Sequence, residues 1–467
     1  MQRVMSQKKI FVVVVIISTI SILLQKGGHL SWTMESFQIG CPSTRFHCGP
    51  ESKPKHTNVA FLKTHKTAST TMQNLLFRFA ERHNLTVALP VQGCGHQFCY
   101  PQSFTTRFVD PHTVPPNIIA SHMRFNKAEL QRLMPENTIY ITILREPGSM
   151  FESLFSYYNQ YCPSFRRVPN GLLEAFLDDP WHFYRPSEKD SMYAHNTLTH
   201  DLGGKKDHPS TDLAYAQAFI EEMEKDFSLV MITEHFDESL ILLRHLLSWD
   251  LEDIVYLKHN MRTSNSKQSL TPSLIAKIRN WNFLDAILYD YFNASLWRQL
   301  SALGPGLLAN ELRLLEQEQG RLVKSCFSGQ SPIFRSGEEI QNKDLRPFKP
   351  NKNVDIVGYE IPENVATGLS RQAQELCLKL IMPEVQYSNA LLRSESLRHR
   401  RNMQFRSMHA AQQSLRTAAQ HVQVQRSQQP AADPGPASET GIASNTNSAS
   451  ETQSQSVKAG TRSSQTQ

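Results

Sequence analysis

Glycine is scarce in this chain, 20 of 467 residues, and none stands between Val59 and Arg78. With only 25 prolines as well, a collagen-like or low-complexity protein is excluded. The glycine-free stretch excludes a Walker A loop at that place, because G-x-x-x-x-G-K-[ST] needs glycines for phosphates to approach the backbone. No repeat of about 20–50 residues is visible, which removes solenoids. The chain has no convincing D-x-D triplet for a divalent-cation loop, and Cys94-x4-Cys99 lacks the second Cys/His pair of a zinc site, so a disulfide is the expected reading there. A basic middle is also missing. The formal charge of +6 suggests a nucleic-acid binder until its location is counted. Residues 1–56 carry seven Lys/Arg against two Asp/Glu, and residues 393–467 carry nine against four. Residues 57–392 carry 33 against 37. The middle is mildly acidic, which argues against nucleic acid and against highly sulfated polymers as partners.

What is present begins with 40% apolar residues, enough to bury a core. Near the start, Arg3, Lys8 and Lys9 precede the uncharged run from Ile10 to Gln25, and Lys26 follows it. Extended to Leu30, the run approaches the roughly 20 residues that span a bilayer. Basic residues before it place the N-terminus on the cytosolic side. A cleaved signal peptide is the rival, but Gln25-Lys26-Gly27-Gly28-His29 offers no small-x-small cleavage site. The expected organisation is a cytosolic tail (1–9), a signal-anchor helix (10–30), a stem (31–56), a luminal domain (57–392) and a disordered tail (393–467). The tail is rich in Gln, Ser, Ala and Thr and has no aromatic residue after Phe405. In a lumen, the sequons at Asn84 and Asn293 become glycosylation candidates. The seven cysteines meet an oxidising medium there, and since seven is odd, at least one has no partner within the chain.

The middle of the chain reads as strand, loop, helix, twice. Val59-Ala60-Phe61-Leu62 is a short apolar run of the kind buried in a parallel sheet. After Lys63-Thr64-His65-Lys66-Thr67-Ala68-Ser69-Thr70-Thr71, apolar residues recur at helical spacing as Met72, Leu75, Leu76 and Phe79. A helix N-terminus preceded by lysines and hydroxyls suits an anion, although Thr70 and Thr71 would equally serve as plain helix caps. In the second unit, Ile139–Leu144 is a β-branched strand ending at Arg145, and the following helix carries Ser153. An Arg beyond a strand's carboxyl end suits a second phosphate; taken alone, pairing with Glu146 or Glu152 explains it as well. Between the units, a short strand over Asn117–Ser121 runs into His122, which is placed as a general base.

At these residues the sequence resembles the Golgi carbohydrate sulfotransferases that use PAPS (3′-phosphoadenosine-5′-phosphosulfate), and within them the galactose 3-O-sulfotransferases. Phe61–Ala68, His96–Pro101, Ile143–Pro147, Met150–Tyr161 and Met382–Tyr387 carry the likeness, which covers about residues 57–392. Ser69 departs from it, since many relatives have Gly there. The resemblance implies a P-loop-kinase-like α/β fold with a central parallel sheet, and a donor site of Lys63, Lys66, Thr67, Ala68, Ser69, Thr70, Thr71, Arg145 and Ser153. The last two would take the 3′-phosphate. It further implies His122 as base and Lys66 as the group offsetting leaving-group charge, with no metal required, and a galactose-terminated acceptor in a Golgi membrane enzyme of type II topology. His96, Asn159, Tyr161 and His195 are acceptor-site candidates, each with an equally good structural reading, while Trp281 to Trp297 reads as packing. A Golgi glycosyltransferase and an anchored, non-catalytic lectin-like protein are the alternatives from other classes.

Overall fold

The computed structural model describes residues 53–427 apart from 264–265, 328, 330–331, 352–353 and 362–367. The expected cytosolic tail, the anchor, nearly all of the stem, Cys41 and Cys48 lie outside the described residues, as does 428–467. Among the described residues no helix is long and apolar enough to cross a membrane. The elements named below belong to the unit that begins at His56.

Five parallel strands form the central sheet: β1 (Val59–Leu62), β2 (Val87–Ala88), β3 (Ile118–Ile119), β4 (Ile139–Leu144) and β5 (Leu229–Ile232), in the order β2-β3-β1-β4-β5. Strand β1 pairs with β3 through Val59↔Ile118 and with β4 through Val59↔Ile139. All four residues of β1 are buried, the unbroken apolar pattern that a sheet covered on both faces requires. Helix α1 (Ser69–Arg82) buries the expected stripe of Met72, Leu75, Leu76 and Phe79. Further along, α2 (Lys127–Leu133) precedes β4, and α3 (Pro147–Tyr158) follows it. Pro147 pre-sets the first turn of α3, and the Glu146 side chain accepts from Ser149 N as its cap. After β5, α4 (Phe236–Leu247) packs on that strand, as does the long α6 (Phe283–Leu303), which is preceded by α5 (Pro272–Trp281).

Composition gave no hint of a second sheet. Strands β6 (Met261–Arg262), β7 (Ile333–Ser336) and β8 (Ile356–Glu360) pair antiparallel in the order β6-β8-β7. A smaller core that includes Phe327, Tyr359 and Leu380 lies beside them. There α7 (Pro305–Cys326) is joined to α8 (Arg371–Ile381) by the disulfide Cys326–Cys377, 51 residues apart. In a chain-entropy account a loop of that length is worth about 4 kcal/mol. Cys94–Cys99 is also a disulfide, as its spacing led one to expect, and Cys162 is free and buried.

Across residue 393, where the tail was expected to begin, the chain continues as helix. Helix α9 runs Glu384–Ser427 without a break there. Tyr387, Leu391 and Glu395 are buried, Tyr387 donates to Glu81 Oε2 at 2.6 Å, and Arg398 donates to Asn84 Oδ1 at 3.0 Å. From 399 to 417 the described side chains are all exposed. The composition that suggested disorder also contains the strongest helix formers, Ala, Gln, Arg and Leu, and neither Gly nor Pro occurs from 393 to 427. Trp281 packs as expected, its indole N–H donating to Ala194 O at 2.6 Å.

Candidate active site

The carboxyl ends of β1, β3 and β4 open into one cleft of about 400 Å³, the position at which open α/β sheets bind ligands. Lys63, Lys66, Thr67, Ala68, Ser69, Thr70, His122, Arg145 and Ser153 all line it, so residues from three separate stretches of sequence converge. Thr71 lies just beyond, buried, its Oγ1 accepting from His259 N at 2.9 Å.

The loop after β1 is tied inward by its carbonyls. Thr64 O accepts from Ser69 Oγ at 2.6 Å, Lys66 O from Arg145 Nη1 at 2.9 Å, and Thr67 O from Thr233 Oγ1 at 2.8 Å. Lys66 (φ 58°) and Ala68 (φ 60°) hold left-handed conformations that glycine would adopt without strain. The loop thus makes a glycine-type turn from residues with side chains. Ala68 is the N-cap residue of α1, and no side chain caps that helix. Thr70 Oγ1 donates instead to Glu384 Oε2 at 3.1 Å. The capping account of Thr70 and Thr71 therefore fails; Thr71 N donates to Ala68 O at 3.0 Å, and the Ser69 and Thr70 N–H groups of the first turn are left for a ligand.

Charge is concentrated here in an unusual way. Lys66 lies 3.8 Å from the centroid of the Tyr157 ring and forms no ion pair among the described residues. Burial, followed by the like charges of Arg262, Arg145 and Lys63, lowers its pKa to about 7. Arg145 donates to Ser149 Oγ at 3.1 Å besides Lys66 O, and burial lowers its pKa too. It pairs with neither Glu146 nor Glu152. Glu146 takes Arg279 at 3.2 Å, and Glu152 takes Arg262 through both carboxylate oxygens. Ser153 is 4% exposed rather than on the helix surface. A pocket of crowded cations with polar walls is what an anion of several charges would complete.

His122 stands at the opposite wall. Its Nδ1–H donates to Lys63 O at 2.8 Å, which leaves Nε2 as acceptor for Lys63 Nζ at 2.8 Å. Burial, then the neighbouring His65 and Lys63, hold its pKa well below the usual histidine range, so the ring is neutral at pH 7. Lys63, 1% exposed, also donates to Glu384 Oε2 at 3.0 Å. The Cys94–Cys99 loop supports this wall, Phe98 N donating to His122 O at 2.8 Å.

A family profile described as Galactose-3-O-sulfotransferase matches residues 1–395. Galactose-3-O-sulfotransferase 3 of Homo sapiens is 53% identical over 398 residues, covering 85% of this chain and 90% of that protein. The chain belongs to the galactose-3-O-sulfotransferase family. Galactose-3-O-sulfotransferase 2 of Sus scrofa is 42% identical over 350 residues (73% and 85% of the two chains). Galactosylceramide sulfotransferase of Homo sapiens is 38% identical over 341 residues (72% and 78%). The chain is accordingly an enzyme of the galactose-sulfating type, and its central parallel sheet fits a sulfotransferase fold.

Of the four acceptor-site candidates, only His96 lines this family member's cleft. His195 Nδ1 binds Asp207 at 2.9 Å with its ring 4.2 Å from Trp281, and Tyr161 donates to Pro350 O at 2.8 Å. Asn159 is absent from the cleft wall. Arg262, Glu384 and the His65–Asp201 pair escaped notice as site residues. Glu384 lies in a family-like segment, but its spacing carried no signal. Asn84 is exposed at a turn after α1, whereas Asn293 sits within α6 with its Oδ1 buried.

Proposed function

We propose that the cleft transfers a sulfonate from PAPS to the 3-hydroxyl of a terminal β-galactose, with glycoprotein glycans of N-acetyllactosamine type as acceptors. The observation that carries the reading is the uncompensated Lys66 cradle beside Arg145. An anionic donor supplies the missing negative charge, and the residues present fit it. Lys66, the open Ser69 and Thr70 N–H groups of α1 and the Thr70 hydroxyl would hold the 5′-phosphosulfate. Arg145 and Ser153 would hold the 3′-phosphate. Bound there, the donor supplies an activated sulfonate.

His122 takes the proton of the galactose 3-hydroxyl on Nε2 as that oxygen bonds to sulfur and the bond from sulfur to the bridging oxygen breaks. Lys66 offsets the charge left on the 5′-phosphate. For His122 to accept a proton, Lys63 Nζ must turn away from Nε2, and a sulfonate entering between Lys63 and Lys66 gives it a reason to do so. Crowded by cations that Glu384 offsets only in part, the Lys66 ammonium is favoured further once the anion is in place, which couples donor binding to readiness for transfer.

The reading extends to a Golgi membrane enzyme of type II topology, with residues 10–30 as anchor. Asn84, exposed at its turn, is the proposed glycan carrier, so Asn84→Gln should remove one glycan's mass on expression in secretory cells while Asn293→Gln removes none. The central test incubates the protein with labelled PAPS and a panel of galactose-terminated acceptors, then maps the sulfated position. Transfer to the 3-position is expected. Failure to sulfate every galactoside, or sulfation at another hydroxyl, would overturn the proposal.

A further inference from the structure

Two buried hydrogen-bond acceptors flank His122 without using their capacity. His65 Nδ1 lies 3.0 Å from both carboxylate oxygens of Asp201, which also accepts from His65 N at 2.8 Å and from the Tyr100 hydroxyl at 2.7 Å. That carboxylate selects the tautomer with the hydrogen on Nδ1, in which Nε2 carries the lone pair. Nε2 is buried and has no partner among the described residues. The ring stacks on His122 with centroids 4.0 Å apart and planes 13° from parallel, so neither nitrogen can hydrogen-bond the other ring. On the far side of Lys63, Glu384 uses Oε2 for Lys63 Nζ and Thr70 Oγ1, while its Oε1 is buried and unpartnered among the described residues. Both side chains line the cleft that holds His122.

An unsatisfied buried acceptor is costly, and a charged one more so, so two of them beside one candidate base call for a ligand that satisfies them. Neither atom suits a phosphate or sulfonate, which offers acceptors only. A sugar supplies the opposite chemistry, with hydroxyl donors on the carbons either side of the one attacked. We propose that His65 Nε2 and Glu384 Oε1 form the acceptor subsite, each taking a hydrogen bond from one of the hydroxyls at positions 2 and 4 of the galactose ring. This rests on the galactoside reading above and adds to it the residues that choose the sugar. Asp201 acts through His65 as a positioning residue.

The test crosses enzyme variants with 2-deoxy and 4-deoxy galactosides in the full chain, with binding of the donor product PAP as a second readout. His65→Asn keeps a donor for Asp201 near the Nδ1 position and removes Nε2. His65→Gln places an acceptor near Nε2 and loses the Asp201 contact. Glu384→Gln keeps shape and removes charge. For wild type, each deoxy acceptor should lose roughly 10- to 100-fold in kcat/KM. His65→Asn and Glu384→Gln should lose as much on the full sugar, mainly in KM, and each should lose nothing further on one of the two deoxy acceptors. His65→Gln should recover part of the loss, and PAP affinity should stay within about threefold for the His65 variants. Multiplying losses for every variant and deoxy acceptor would overturn the proposal, as would unchanged acceptor KM in both variants. Wild-type enzyme that sulfates no galactoside would instead bring down the proposed function, which separates the two failures.

Discussion

The cations of the cleft and the arginines on the outer part of α9 carry the same formal charge in opposite surroundings. Lys63 and Arg262 are buried and Lys66 and Arg145 half-buried, and desolvation, followed by the like charge of the other three, lowers the Lys66 pKa to about 7. Arg400, Arg401, Arg406 and Arg416 are exposed along a helix that has left the body of the protein. Water and salt screen the second group, whereas the first interacts at short range in a medium of low dielectric. The catalytic stretch is net acidic and the basic excess lies at the ends of the chain. Bulk charge therefore reports the group that matters least, and burial identifies the one that can hold an anion.

The sharpest way to test this contrast is to separate binding from chemistry inside the cleft. His122→Ala should cut kcat by about 10²–10⁴ with PAP affinity retained, and an unchanged kcat would remove His122 from the base role. Next in size, Lys66→Ala and Arg145→Ala should each weaken PAP by roughly 10- to 100-fold, read by calorimetry. Equal affinity in either variant would take that cation out of the cradle. The pH dependence is smaller. A bound anion raises the pKa of Lys66 above its free value near 7, so binding takes up a proton between the two. PAP affinity should fall as pH rises from 7 to 8, by up to about tenfold, and Lys66→Ala should abolish that slope. The least effect belongs to the exposed group: replacing Arg400, Arg401, Arg406 and Arg416 together by Ala should change kcat/KM less than about twofold. A tenfold loss there would break the comparison and give the outer helix a part in acceptor binding.

The legible parts of the molecule were local ones. β1 and β4 announce themselves by unbroken apolar runs, and α1 and α3 by their stripes, because each signal fits within a dozen residues. Lys66, Arg145, Ser153 and His122, which line one cleft, could be singled out because each follows a strand that was itself readable. Arg262 was missed because β6 has only two residues and no periodicity to detect. Glu384 was missed for a different reason: it meets Lys63 across 321 residues, a separation over which spacing says nothing. The helix in the outer part of α9 was not legible because the residues that fail to make a core are also good helix formers, so composition answered one question and was silent on the other.

Glu384 is also the first residue of α9, so the last helix supplies part of the active-site wall. On a ribosome the cation loop is therefore made early, and its carboxylate partner emerges only after 383 of the 467 residues have been joined. Until then Lys63 and Thr70 lack the oxygen that both of them bind, and the cleft has one side open. Assembly of the site thus waits for the C-terminal fifth of the polypeptide, and a chain cut short before that point would lack this wall of the cleft together with the core residues Tyr387 and Leu391.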